Sequence, residues 1–122
     1  MLQATLQKLE TLLQNSQMKK SEKQRFLNVY SHYKLGQWIY PGAIHRVTRI
    51  PIISVYEALD IYEKNGLVKS YFEIICTDCK HTTGMVYENI NDVPKEYYCD
   101  ECGYTGDSIK GAVLIYKVIR DE

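Results

Sequence analysis

The stretch YPGAIHRVTRIPIISVYEALDIYEKNGLV, residues 40–68, decides how this chain folds. Ala43, Ile44 and Val47 mark a short helix, and Ile50-Pro51 breaks it, because a residue before proline is pushed out of the helical region. A second helix follows, with Val55, Ala58, Leu59 and Tyr62 falling on one face. Asn65-Gly66 ends it, since glycine tolerates the left-handed conformation that a helix C-terminus commonly needs. Leu67 to Ile75 then reads as a strand. Two helices joined by a tight turn and followed by a strand make a helix-turn-helix pattern.

Upstream, Leu2, Leu6, Leu9 and Leu13 recur at steps of four, three and four, with Leu12 beside them. This is a helical stripe with at most two heptads of a/d spacing. It either packs on its own chain, docks a partner, or pairs with a second copy as a two-stranded homodimer seam. Ser21-Glu22-Lys23-Gln24 fits a capping box that opens the next helix, with Phe26, Leu27, Tyr30 and Tyr33 as its apolar face and Gly36 as its stop. Trp38-Ile39-Tyr40 reads as a short extended piece, ended by Pro41-Gly42.

Downstream lies CTDCKHTTGMVYENINDVPKEYYCDEC, residues 76–102, which holds all four cysteines of the chain. They fall into two pairs, Cys76 with Cys79 and Cys99 with Cys102. A CxxC turn offers two thiolates to one ion, and two such turns complete the tetrahedral shell that zinc prefers. Met85 to Ile90 and Gly111 to Ile119 read as strands, and that is the layout of a zinc ribbon. One structural zinc is the expected cofactor. A ribbon this small cannot be held by an apolar core alone, so metal binding must supply folding energy. Cys99 to Tyr104 is also similar to a rubredoxin knuckle, and iron accepts the same four-thiolate shell; an iron electron carrier, however, needs no helix-turn-helix. A thioredoxin-like dithiol requires a βαβ setting and a single CxxC.

The chain has 122 residues and no net formal charge, with 45% apolar and 25% charged residues. That is a folded globular composition. Residues 1–20 carry net +2, residues 21–71 net +3, residues 72–110 net −5 and residues 111–122 none. No run approaches the roughly 18 to 20 apolar residues of a membrane span. The N-terminus is too polar for a signal peptide, so the expected location is a reducing cytoplasm. His81 lies beyond the first cysteine pair and reads as a turn residue rather than a ligand. His45 and His32 read as surface histidines. Most of the eleven tyrosines fall at core spacing. No nucleophile–base set, phosphate loop or paired carboxylates stands out, and a closed four-thiolate shell leaves no position for a reactive water. A non-catalytic protein is expected.

Thr48, Ile50-Pro51, Ser54-Val55-Tyr56-Glu57-Ala58-Leu59 and Glu63-Lys64-Asn65-Gly66-Leu67-Val68 together resemble the winged-helix family of bacterial and archaeal regulators. The resemblance covers residues 21–75. A winged helix leading into a CxxC…CxxC ribbon is also similar in architecture to the N-terminal half of the general transcription factor E alpha family. The resemblance implies an α+β fold: an N-terminal amphipathic helix over 1–20, a winged helix-turn-helix over 21–75 and a small antiparallel zinc ribbon over 76–122.

Two functions follow as expectations. One is a sequence-specific DNA reader using Arg46, Arg49, Ser54, Tyr56, Lys64 and Lys69. The other is an adaptor in a transcription or nucleic-acid-handling complex, docking a protein through Ile52, Ile53, Glu57 and Asp60. Only Ser54 and Tyr56 donate comfortably at the start of the second helix, and Glu57 and Asp60 oppose phosphate. Four basic residues make a modest phosphate footprint. The residues therefore favour the adaptor, with weak DNA contact beside it.

Overall fold

The computed structural model describes residues 3–120, and their side chains from Leu6 onward. Its elements run α1 (Gln3–Leu12), α2 (Lys20–Tyr30), β1 (Trp38–Ile39), α3 (Pro41–Thr48), α4 (Ile52–Lys64), β2 (Val68–Ile75), β3 (Thr82–Tyr87), β4 (Glu96–Tyr98), β5 (Thr105–Asp107), α5 (Ser108–Gly111) and β6 (Ala112–Val118), with a 3₁₀ turn at Ile90–Asp92. This is a mixed α+β chain with antiparallel pairing. Four strands are ordered β1-β6-β2-β3, and β4 pairs with β5 in a separate two-stranded sheet.

The chain divides into two compact units, residues 3–69 with 116–120, and residues 70–115. The sequence pattern had suggested boundaries at 20 and 75. The unit boundaries fall elsewhere because strand pairing is not local. The end of β6 returns to β1, with Trp38 opposite Lys117 and Ile39 opposite Tyr116.

In the first unit, Leu9 and Leu13 of the leucine stripe are buried and Leu6 is half-buried. The stripe is used inside the chain, so Leu9 and Leu13 are not available as a homodimer seam; Leu2 lies outside the described residues. The Tyr62 hydroxyl donates to the Leu9 carbonyl at 3.2 Å. Tyr62 also packs against Phe26 and Tyr30, with ring centroids 5.7 and 4.8 Å away. Burial, followed by the nearby Tyr30, raises the Tyr62 hydroxyl well above its ordinary pKa.

Helix α2 starts earlier than the capping-box reading places it. Its N-cap is Lys19, whose backbone N–H donates to the Glu22 carboxylate at 2.8 Å. Glu22, three residues on, thus satisfies an otherwise orphaned donor without any capping side chain at Lys19. The helix stops at Tyr30, so Tyr33 and Gly36 belong to the connection into β1.

Helix α3 opens with Pro41, whose missing N–H is not needed in a first turn. Its buried residues Ile44 and Thr48 sit one turn apart, while Val47 is 73% exposed. Three side chains fix the turn into α4. The Thr48 hydroxyl donates to the Ile44 carbonyl at 2.6 Å and accepts from the Ile50 N–H at 3.2 Å. His45 donates through Nδ1 to the Ile50 carbonyl at 2.6 Å. Arg25 donates through Nε to the Thr48 carbonyl at 2.9 Å. His45 is therefore half-buried and structural, not a free surface group.

Helix α4 buries the expected Val55, Ala58, Leu59 and Tyr62. It ends in a paired C-terminal motif: the Leu67 N–H reaches the Tyr62 carbonyl and the Gly66 N–H reaches the Glu63 carbonyl, both at 3.0 Å. Gly66 has φ +76°, the conformation that this ending demands. Among the described residues, no helix is long and apolar enough to cross a membrane.

In the second unit, β2 pairs with β3, placing Phe72 opposite Tyr87 and Glu73 opposite Val86, with an irregularity before Ile75 meets Thr82. Its small core holds Ile74, Tyr97 and the cysteines Cys76 and Cys99.

Candidate metal centre

Each cysteine pair sits in a turn built to one plan. In the first, the Cys76 N–H donates to the His81 carbonyl and the Lys80 N–H returns to the Cys76 carbonyl, both at 2.9 Å. In the second, the Cys99 N–H donates to the Tyr104 carbonyl at 2.9 Å and the Gly103 N–H returns to the Cys99 carbonyl at 2.8 Å. The fourth residue after each leading cysteine is left-handed, Lys80 at φ +67° and Gly103 at φ +76°. Glycine adopts that conformation freely, and lysine does so at a cost.

These turns bring the four sulfurs within 4.8 Å of one another. Cys76 and Cys102 stand 3.7 Å apart, and Cys79 and Cys99 stand 3.6 Å apart. A disulfide needs about 2.05 Å, so the cysteines are not bonded to each other. A tetrahedron with zinc–sulfur bonds of about 2.3 Å has edges of about 3.8 Å. The donor set and its spacing fit one zinc ion. His81 contributes a backbone carbonyl to the turn and is absent from the sulfur cluster.

Crowding sets the thiols apart electrically. Burial works to raise Cys76, but the N–H groups of Cys79 and Asp78 and contacts with the Cys102 and Cys79 thiols outweigh it, holding this thiol at about 6. The His81 N–H works to lower Cys79, yet burial and the Cys99 and Cys76 thiols leave it raised. The Tyr104 N–H favours ionisation of Cys102, and burial with three neighbouring thiols pushes it up to about 12. Four thiolates at this separation need a cation to coexist.

Sequence reading missed the support behind the cluster. Tyr97, on β4 two residues before Cys99, is buried, and its hydroxyl accepts from the Thr77 N–H at 2.9 Å. The strand that delivers the second pair thus holds the turn of the first. A buried tyrosine beside a cysteine in CxxC…CxxC was the available signal.

The other predicted residues divide into three groups. Arg46, Arg49 and Ile53 are exposed around the α3–α4 turn, with Ile53 at 79%. Ile52, Ser54, Tyr56 and Lys69 are half-buried. The two acids of α4 are already engaged: Glu57 is half-buried and accepts from the Gln17 N–H at 2.8 Å, and Asp60 pairs with Lys64 at 3.0 Å. Asp60 is exposed, as the sequence pattern implies, and Glu57 is partly covered. Val47, one of the three residues that mark α3 in the sequence, joins Ile53 as an exposed apolar residue.

Residues 60–106 match the zinc ribbon finger of the family of the ER junction formation factor lunapark. The matched segment runs from the end of α4 through β5 and includes all four cysteines. It is a likeness of well under half the chain. No curated protein and no solved structure matches the chain. The four-cysteine cluster and the zinc-ribbon match together support a structural zinc.

Proposed function

We propose that this protein is a non-catalytic, zinc-stabilised winged-helix adaptor or regulator of a transcription or nucleic-acid-handling complex, working mainly through protein contacts. The observation that carries this reading is Ile53. It is 79% exposed in the first turn of α4, where a DNA reader would place hydrogen-bond donors. Four cysteines fill a tetrahedral shell, so the metal has a structural and not a catalytic part. The winged-helix reading draws support from the order α2-β1-α3-α4-β2, and from β6 lying between β1 and β2 as the returning strand of a wing would. The ribbon then occupies the tip of that wing in the sequence. Junction formation is a property of the family matched over 60–106, and that partial likeness supports only a metal-binding ribbon here.

A second reading, a sequence-specific DNA reader, gains from one observation: Glu57 and Asp60 are engaged within the chain, which leaves Arg46 and Arg49 less opposed. Titration of the zinc-loaded chain into labelled random-sequence and selected duplex DNA separates the two. The adaptor reading expects weak, unselective binding that fades by about 0.15 M salt. Tight, sequence-selective binding that survives this salt makes the protein a DNA reader.

A further inference from the structure

Val47 and Ile53 are the two most exposed large apolar side chains among the described residues, at 73% and 79%. They flank one three-residue turn, Val47 in the last turn of α3 and Ile53 in the first turn of α4. Exposed apolar area of this kind is costly unless something covers it.

The turn itself and its near flanks are basic. Arg25, Arg46 and Arg49 are all exposed. Arg25 is tied to the end of α3 through the Thr48 carbonyl, and Arg49 is the left-handed residue of the turn itself, at φ +61°. No Asp or Glu occurs anywhere between Glu22 and Glu57. Glu57 accepts from the Gln17 N–H, and Asp60 forms an exposed pair with Lys64. The corner is also rigid, held by Thr48, His45 and Arg25. Two exposed apolar side chains thus flank a fixed turn that carries exposed arginines, and the nearest acids of α4 are already paired.

We infer that the α3–α4 corner binds an acidic, apolar segment of a partner protein. Aliphatic or aromatic side chains of the segment cover Val47 and Ile53, and its carboxylates pair with Arg25, Arg46 and Arg49. Arginine suits this part, because its planar fork pairs with carboxylates two bonds at a time. Nucleic acid would satisfy the arginines but would leave most of the apolar patch uncovered. The inference rests on the adaptor reading above and sharpens it: the partner's charge is negative, opposite to what Glu57 and Asp60 would have selected.

The test is selection of a random peptide library on the zinc-loaded full chain, followed by fluorescence anisotropy with the enriched peptides. Enriched sequences should combine Asp/Glu with Leu, Ile, Phe or Trp. Ile53→Asp and Val47→Asp should each weaken binding about tenfold or more. Both positions are exposed, so unchanged circular dichroism should accompany the loss. Arg46→Glu with Arg49→Glu should abolish binding of the acidic peptide and recover it for the same peptide with lysine in place of each acid. Basic or neutral enriched peptides overturn the inference, as does the absence of any enriched binder. Acidic peptides indifferent to Val47 and Ile53 also overturn it, while leaving the adaptor reading intact. If the arginine pair is instead needed for tight, selective duplex DNA binding that Ile53→Asp spares, both the inference and the adaptor reading fall.

Discussion

The Tyr97 hydroxyl accepts a hydrogen bond from the Thr77 backbone N–H at 2.9 Å, and the Thr77 hydroxyl lies 3.2 Å from the same oxygen. One phenol therefore joins the strand before Cys99 to the turn between Cys76 and Cys79. Tyr97→Phe keeps the ring and removes only this tie. Stability of the zinc-loaded ribbon should fall by about 1 kcal/mol. Zinc affinity should drop roughly tenfold, the lower end of what orienting groups behind a ligand shell contribute. Competition against a chromophoric chelator reads this directly, and an unchanged affinity would show that the tie is ornamental.

Purified chain should carry about one zinc, and Cys99→Ser should unfold residues 70–115, because a structural zinc supplies much of the folding energy of so small a unit. Elemental analysis finding iron, or an intact ribbon without metal, counts against this.

Zinc binding should release protons. The thiols of Cys79 and Cys102 are raised, so in the metal-free chain they are protonated at neutral pH and must ionise to become ligands. At least two protons per zinc should therefore leave near pH 7, and affinity should weaken as pH falls, because protons then compete better for each sulfur. Calorimetry in buffers of different ionisation enthalpy counts the protons. Binding independent of pH between 6 and 8 contradicts the assignment.

The two cysteine turns share a plan but differ at the left-handed position, Lys80 in one and Gly103 in the other. Lys80→Gly should stabilise the metal-loaded chain by about 0.5 to 1 kcal/mol, while Gly103→Ala should cost about 1 to 2 kcal/mol. Thermal unfolding of the two variants against the parent gives both signs at once. Matching shifts in the same direction would mean that backbone strain is not what separates the turns.

The winged-helix reading predicts that the ribbon is removable. Strands β2 and β6 are neighbours in the sheet. Replacing residues 76–111 with Asn-Gly should therefore join them as a simple hairpin, since that dipeptide suits a two-residue antiparallel turn. The shortened chain should stay helical by circular dichroism and should no longer respond to chelators. Loss of the helical signal would show that residues 3–69 need the ribbon to fold.

What the sequence made legible was local. Cysteine spacing located the metal ligands, and the stripe Val55, Ala58, Leu59, Tyr62 located α4 and its buried face. What it hid was held by groups distant in the chain or by the backbone. The pairing of Ile39 with Tyr116 leaves no periodic trace in either segment. The cap on α2 comes from a Lys19 N–H, and every residue except proline has one to offer. The bond that Glu57 accepts could not be read from α4 alone, because its donor, the Gln17 N–H, lies in the connection before α2. Val47 shares helical spacing with Ala43 and Ile44, but α3 turns the Ile44–Thr48 edge inward, with Thr48 stabilised by its own hydroxyl bonds.

The ribbon leaves the chain at the end of β2 and rejoins it at the start of β6, so its two ends are held side by side. Ordering a segment whose ends are already pinned costs little loop-closure entropy. The metal-binding segment is therefore an insertion between two neighbouring strands, not a tail. An insertion of this kind adds an ion site to the chain while its two ends stay beside each other in the sheet.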